Sequence, residues 1–204
     1  MLTGDANRRA SPNAAWKYQS CFRCFTGPNY AGDNAAPCQD ARLDTEYLPT
    51  SPCRGGIRTN IHYPTCWDGK NLDSASHQDH VAYPTTGPDR FTAHAACPAS
   101  HPIRIPQVML EVVWDTTEFN DKSLWPKETG KQPFYLSMED NTGYGQHADY
   151  VFGWKNDALQ KAMDDSNCLG PNCGKLAQQS PEQADKCTVP NMVAEDDGSD
   201  GCKY

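Results

Sequence analysis

The chain is 204 residues long, with a formal net charge of −8, 16 prolines, 15 glycines and 10 cysteines, and only 37% hydrophobic residues. That length can bury a real core, but the acidic balance disfavours nucleic acid or an anionic membrane as the main partner, because both would repel it. No apolar run approaches bilayer-crossing length, and a mean hydropathy of −0.76 with abundant turn formers suits a loop-rich secreted domain better than a helical cytosolic one.

Residues 1–20 contain no apolar core of a signal peptide, and no Asn-x-Ser/Thr acceptor occurs anywhere, so N-glycosylation is not expected. A short helix is expected near Ala14 to Cys21. The rest of the first 55 residues is poor in periodic pattern and broken by Gly27-Pro28, Gly32-Asp33, Pro37, Pro49 and Pro52. From Gly56 the texture changes: Ile57, Thr59, Ile61 and Tyr63 alternate with Arg58, Asn60 and His62, a period-2 strand closed by Pro64. The segment from Gly56 to Pro84 then gathers a cysteine, a Trp-Asp-Gly turn, two closely spaced carboxylates and three histidines, a mixture that no core requires. Arg104 to Asp115 predicts a second strong strand, with Val108, Leu110, Val112 and Trp114 on one face and Met109, Glu111 and Val113 on the other. Gln132 to Met138 and Tyr150 to Trp154 are two further strand candidates. Asp157 to Asp165 predicts a helix with Ala158, Leu159 and Ala162 on one stripe, and after Cys168 the chain becomes polar and acidic.

Strands joined by long turn-rich connections predict an all-β, loop-rich fold, an antiparallel β-sandwich or jelly-roll with one short helix. The expected division is residues 1–165 as one β-rich domain and 166–204 as an irregular, acidic tail pinned by disulfides. Ten cysteines, even in number and spread along the chain, predict up to five disulfides formed in an oxidising compartment. A zinc site from Cys21-x-x-Cys24 and Cys168-x4-Cys173 is the weaker alternative, because the second pair lacks knuckle spacing. Spacing alone does not give connectivity; Cys66 with Cys97 is the pairing expected, tying together the two sides of the histidine-bearing loop.

The chemistry lies in two stretches, Gly56 to Pro84 and Gly143 to Trp154. His147-Ala148-Asp149 on a strand would put imidazole and carboxylate on one face, so Asp149 is expected to orient His147 as a general base. A plain surface strand would leave the same pattern. His80 and Asp68 are candidate acids or charge stabilisers, and Asp73 an acid or the partner of a histidine; turn-capping Asx residues explain the aspartates equally well. Trp67, Tyr83, Tyr144 and Trp154 lie near these polar groups, where aromatic faces beside carboxylates commonly hold sugars, though aromatics are also ordinary core material. No cofactor is expected outright; a divalent metal held through His77, His80, His101 and His147, with Asp149 as an alternative ligand, is the variant, since His77-x-x-His80 would present two imidazoles on one face of a helix, though polar loop histidines bonded to the backbone are the commoner source of that pattern. No G-x-S-x-G, P-loop, G-x-G-x-x-G or H-E-x-x-H pattern occurs, which disfavours serine acyl transfer, nucleotide chemistry and zincin proteolysis.

Residues 53–84, CRGGIRTNIHYPTCWDGKNLDSASHQDHVAYP, followed in order by CPASHPIRIPQVMLEVVWDTTEF and TGYGQHADYVFGW, resemble the signature of the domain of unknown function 1996 family, secreted proteins found mostly in fungi. The likeness spans roughly residues 53–165, and Cys-Trp-Asp-Gly-Lys-Asn-Leu-Asp is its specific core. Trp67, Asp68, Asp73, His80, His101, His147 and Asp149 fit the family's recurrent polar positions. Ala148 stands where the family more usually has Gly, and Glu139-Asp140-Asn141 replaces a Gly-Asp-Pro-like turn. The resemblance further implies an upstream region with a His-x-His segment, so the chain is expected to be the C-terminal portion of the domain, with that N-terminal portion as a partner.

The family name supplies no activity. The expected function is a secreted, extracellular protein acting on or binding cell-wall or other extracellular polysaccharide. In it His147, Asp149, His80 and Asp68 would be catalytic, and Trp67, Tyr144, Trp154, His101 and Asp73 would hold the glycan. The alternative is a non-catalytic, disulfide-stapled structural or surface-assembly module that binds glycan or protein.

Overall fold

Alternation at Ile57, Thr59 and Ile61 does produce the central strand of the molecule. In the computed structural model, which describes residues 1–11, 20–33, 36–85, 95–129, 131–168, 173–188 and 190, the strands are β1 (Leu2–Gly4), β2 (Ser20–Cys24), β3 (Asp44–Thr45), β4 (Ile57–His62), β5 (Cys66–Trp67), β6 (Val81–Ala82), β7 (Ile103–Arg104), β8 (Met109–Trp114) and β9 (His147–Asp149). They form three antiparallel sheets, ordered β3-β2-β4-β8, β6-β5-β7 and β1-β9. The fold is all-β and disulfide-stabilised, the class that the sequence predicts.

The four-stranded sheet has two unlike faces, and both are buried at β4. Ile57, Thr59 and Ile61 take the apolar face. Phe22, Ile57, Leu48 and Cys53 make one core cluster there, with Phe134 and Leu136 packed against it. Ile61, Tyr63 and Ala148 make a second, with Met1, Val108 and Tyr150, so the β1–β9 ribbon covers that end of the sheet. The opposite face carries Arg58, Asn60 and His62, all buried. Its charges are paired as burial requires. Arg23 donates from Nε to Asp44 Oδ1 at 2.7 Å and from its two terminal nitrogens to the Asp33 and Ala36 carbonyls at 2.9 and 3.1 Å. Arg58 Nε donates to Asn60 Oδ1 at 3.0 Å, and the Asn60 amide to Glu111 Oε2 at 2.8 Å.

Among the described residues there are four disulfides: Cys21–Cys38, Cys24–Cys53, Cys66–Cys97 and Cys168–Cys173. The Cys66–Cys97 bridge is the one expected, and the cysteines of the weaker zinc alternative are spent in bridges. Cys202 and most of the Ala14 to Cys21 helix candidate lie outside the described residues; Ser20 and Cys21 belong to β2.

Two strand expectations are corrected. Gln132 to Met138 forms only a single bridge, Leu136 with Asp140. Met138 and Glu139 take left-handed φ values of 59° and 56° and turn the chain back on itself. At the second site the strand is His147–Asp149 rather than Tyr150 to Trp154. Pairing with β1 is closed off where Tyr150 N–H donates to the Met1 carbonyl at 2.8 Å, and Val151 and Phe152 beyond it are exposed.

The chain divides into two compact units, Met1–Phe152 and Gly153–Tyr204. The second contains helix α1 (Ala158–Met163), inside the expected span, and a single-turn helix α2 (Pro181–Ala184). Ser180 and Gln183 close a reciprocal capping box at its start. Among the described residues no helix is long and apolar enough to cross a membrane.

Candidate functional site

The histidine-bearing loop is tied together by short-range hydrogen bonds. Asp68 Oδ1 accepts the N–H groups of Lys70 and Asn71 at 2.8 and 3.0 Å, and its other oxygen accepts the Asn71 amide at 2.6 Å. The Trp67 indole N–H donates to the Asn71 carbonyl at 2.6 Å. Those backbone donors from Asn71 and Lys70 hold the Asp68 carboxyl down to about 2. Asp68 is therefore a fixed negative charge rather than a proton donor. Asp73 lies 2.8 Å from His77 Nδ1 and is made more acidic first by that contact. His80 is 4% exposed, with Nδ1 3.1 Å from Ser74 Oγ, and burial lowers its pKa. His101 uses both ring nitrogens: Nε2 lies 3.0 Å from the Asp79 carbonyl and Nδ1 2.9 Å from Ser100 Oγ. Tyr83 is engaged too, with its hydroxyl between Thr3 Oγ1 and the His62 carbonyl, each at 2.6 Å.

The second stretch is organised by Asp140, fully buried, whose carboxylate collects the N–H groups of Thr142, Gly143 and Gly145 at 2.8, 3.1 and 2.7 Å, together with the Thr142 hydroxyl. Burial works to raise its pKa, but these donors and the nearby Arg9 outweigh burial and lower it. The turn so fixed sets Tyr144 beside Tyr47, ring centroids 6.1 Å apart, and aims the Gly145 carbonyl at His147 Nδ1, 2.9 Å away. His147 is thus oriented by a main-chain carbonyl. No hydrogen bond or ion pair joins it to Asp149 among the described residues, because side chains two apart on a strand stand about 6.6 Å from one another along its length. Asp149 is exposed.

The two stretches flank β1 from opposite edges. One edge pairs with β9, Gly4 opposite His147 and Leu2 opposite Asp149. At the other, Leu2 N–H donates to the His77 carbonyl at 2.8 Å and the Gly4 carbonyl accepts the Gln78 amide at 2.9 Å. Asp68, Asp73, His77 and His80 thus lie in the loop between β5 and β6, with His101, just before β7, bonded to it at the Asp79 carbonyl, while His147 and Asp149 stand across β1. Trp154 belongs to the second unit. Among the described residues no three His, Cys, Asp or Glu side chains stand close enough to hold a metal ion, so His77, His80, His101 and His147 do not form the metal variant's ligand set.

A different concavity exists that the motifs did not mark. A groove of about 640 Å³ opens on the apolar face of β4 and β8, where Trp114, Phe119, Phe134 and Tyr135 line it beside Asp115 and Thr59. Its volume lies in the range of small-ligand sites. Trp114 and Tyr135 are 54% and 60% exposed. The Trp114 indole N–H donates to Thr59 Oγ1 at 3.2 Å, which restrains the ring, and Phe119 and Phe134 meet edge to face at 5.2 Å. Asp115 Oδ1 accepts the Thr117 hydroxyl and N–H at 2.6 and 3.1 Å, contacts that keep the carboxyl acidic. Its Oδ2 has no hydrogen-bond partner among the described residues and is free to accept one from a ligand.

Comparison with known proteins finds a match to one family model, "Domain of unknown function (DUF1996)", over residues 1–154. The chain belongs to this family. No curated protein and no solved structure matches it. The DUF1996 match covers the histidine-bearing loop, β9 and the aromatic groove, and it reaches upstream of the segment from residue 53 that carried the resemblance. Helices α1 and α2 lie beyond it.

Proposed function

We propose that this chain is a secreted protein that binds cell-wall or other extracellular polysaccharide without cleaving it, with the groove under Trp114 as its glycan seat. The observation that carries this reading is the groove itself: two half-exposed aromatic rings, one of them restrained through its indole N–H, beside an ionised carboxylate with one oxygen to spare. Sugars offer an apolar C–H face to such rings and hydroxyls to such a rim. The four disulfides support export, since bridges of this number persist in oxidising compartments. The histidine-bearing loop supports binding over catalysis, because Asp68 is held ionised by its own turn and the Nδ1 atoms of His77 and His80 are tied to Asp73 and Ser74.

Affinity electrophoresis against soluble plant and fungal wall polysaccharides tests the reading. At least one polysaccharide retards the chain, Trp114→Ala weakens retardation about tenfold or more, corresponding to about 1.4 kcal/mol, and His147→Ala leaves it intact. Release of new reducing ends that disappears in His147→Ala would replace this reading with the catalytic one. Absence of retardation by every polysaccharide would refute it.

A further inference from the structure

The geometry points to a second binding site, for the carboxylate groups of a uronate-bearing polysaccharide, in the cleft between β3 and the Pro49–Arg54 segment; it rests on the polysaccharide reading above. The cleft holds about 520 Å³ and is lined by Arg42 and Arg54 together with Thr50, Ser51 and Tyr47. In a chain of net charge −8, two guanidinium groups on one concave surface stand out from the general field. Arg54 is exposed and has no ion pair or side-chain hydrogen bond among the described residues. The Arg42 side chain is 75% exposed, and its carboxylate neighbours are distant, Asp33 at 3.9 Å and Asp40 at 3.8 Å. Contacts that long, made by a guanidinium that exposed, contribute little and leave it able to turn to a better-placed anion. Thr50 and Ser51 are exposed and their hydroxyls likewise have no hydrogen-bond partner among the described residues, so both are open to a ligand.

The cleft is built on a fixed base. The Cys24–Cys53 bridge ties the Pro49–Arg54 wall to β2, the strand beside β3. Phe25 N–H donates to the Gly56 carbonyl and Gly55 N–H to the Phe25 carbonyl, each at 3.1 Å. The backbones meet so closely at this point that a Cβ on Gly55 would stand 1.9 Å from the Gly27 carbonyl oxygen. Donors carried on a pre-organised base lose less entropy on binding. The planar guanidinium fork matches a carboxylate in bidentate geometry, Tyr47 is 40% exposed and offers a ring face, and the hydroxyls suit a sugar. Together these select a uronate over a neutral residue. Because the molecule as a whole repels anions, capture of a polyanion must come from this local arrangement.

The test is affinity electrophoresis and titration calorimetry with polygalacturonate, its fully methyl-esterified form, dextran sulfate and sodium galacturonate, on the whole chain and on Arg54→Ala, Arg54→Lys, Arg42→Ala/Arg54→Ala and Trp114→Ala. The expected result is binding of polygalacturonate that falls tenfold or more on esterification, tenfold or more in Arg54→Ala, and completely in the double variant, with Arg54→Lys intermediate. Unchanged far-ultraviolet circular dichroism controls for folding. Equal binding by the double variant, or equal binding of the ester, overturns the proposal. Capture of dextran sulfate but not polygalacturonate overturns the uronate assignment. Neutral polysaccharide held through Trp114 and indifferent to both arginines leaves the polysaccharide reading standing and removes this site. Galacturonate bound with loss in the arginine variants, but with no polymer retained, keeps the carboxylate site and removes the polysaccharide reading.

Discussion

Replacing Asp140 with alanine should destabilise the fold more than any exposed change near the predicted site. Its side chain is fully buried, and Gly143 and Gly145, two of the residues it satisfies, are buried with it. In Asp140→Ala their N–H groups lose their acceptor. Each buried orphan costs about 1–3 kcal/mol, so two cost about 4 kcal/mol near the middle of the range. With a urea m-value of about 2 kcal/mol per molar, the unfolding midpoint falls by about 2 M. Asp140→Asn keeps the shape and one carbonyl acceptor, so about half that fall is expected. Titration adds a second readout. The folded pKa of Asp140 is depressed below 3.8, so the native state binds fewer protons than the unfolded chain in this range. Its contribution is complete above the unfolded value and is lost as pH falls through the folded one. The wild type should therefore lose this increment below about pH 4, and Asp140→Ala should not. A midpoint shift below about 0.5 M in Asp140→Ala, or the same acid sensitivity in both proteins, would refute the reasoning.

Removing the Cys66–Cys97 bridge as a paired serine variant releases a loop with ends 31 residues apart. Chain-entropy bookkeeping for that length gives about 3.7 kcal/mol, read as a lower urea midpoint and faster proteolytic nicking between residues 67 and 96; an unchanged midpoint would show that the loop is held without it. His80, with a folded pKa below its ordinary 6.5, leaves the unfolded chain holding more protons than the native one, so stability should fall as pH drops below about 6.5. Replacement by Phe should flatten that slope, checked by urea midpoints between pH 5 and 8; a slope that persists would assign the sensitivity to other groups.

The strand Ile57–His62 was legible because strict alternation is a local signal and both of its faces are buried. The antiparallel class followed from turn spacing. The role of Gln132 to Met138 was not legible, since its apolar residues read as a strand while the φ reversal at Met138 and Glu139 depends on the turn held by Asp140. Asp140 itself stood within a turn that looked merely atypical, and nothing local told that its carboxylate would be buried under three backbone donors. The histidines drew attention by composition, yet their partners are mostly main-chain carbonyls and neighbouring hydroxyls, which a residue pattern does not display. The groove escaped for a related reason. Trp114 closes one strand signal and Phe134-Tyr135 sit inside another, and only the fold-back brings those rings together. Aromatic residues at a strand end beside an aspartate, as in Trp114-Asp115, were the signal available.

The location of the groove follows from how unevenly the central sheet is covered. On the charged face, burial of Arg23 and Arg58 obliges nearby residues to supply partners, and Asp44, the Asp33 and Ala36 carbonyls, Asn60 and Glu111 do so. A neutral ligand arriving there would have to replace charge-assisted bonds with weaker ones. On the apolar face, the β1–β9 ribbon closes the Ile61 end. At the Ile57 end the cover is the segment around Phe134 and Leu136, held by the Leu136–Asp140 bridge and by the Gln132 amide, which donates to the Phe134 and Asn141 carbonyls at 3.0 and 2.7 Å. A fold-back only a few residues wide covers less than a paired ribbon does, and the space left beside it is the groove. Asp140 lines none of that groove, yet it fixes the turn that carries the groove's far wall. Its loss should therefore weaken polysaccharide binding together with stability, whereas Trp114→Ala should weaken binding alone.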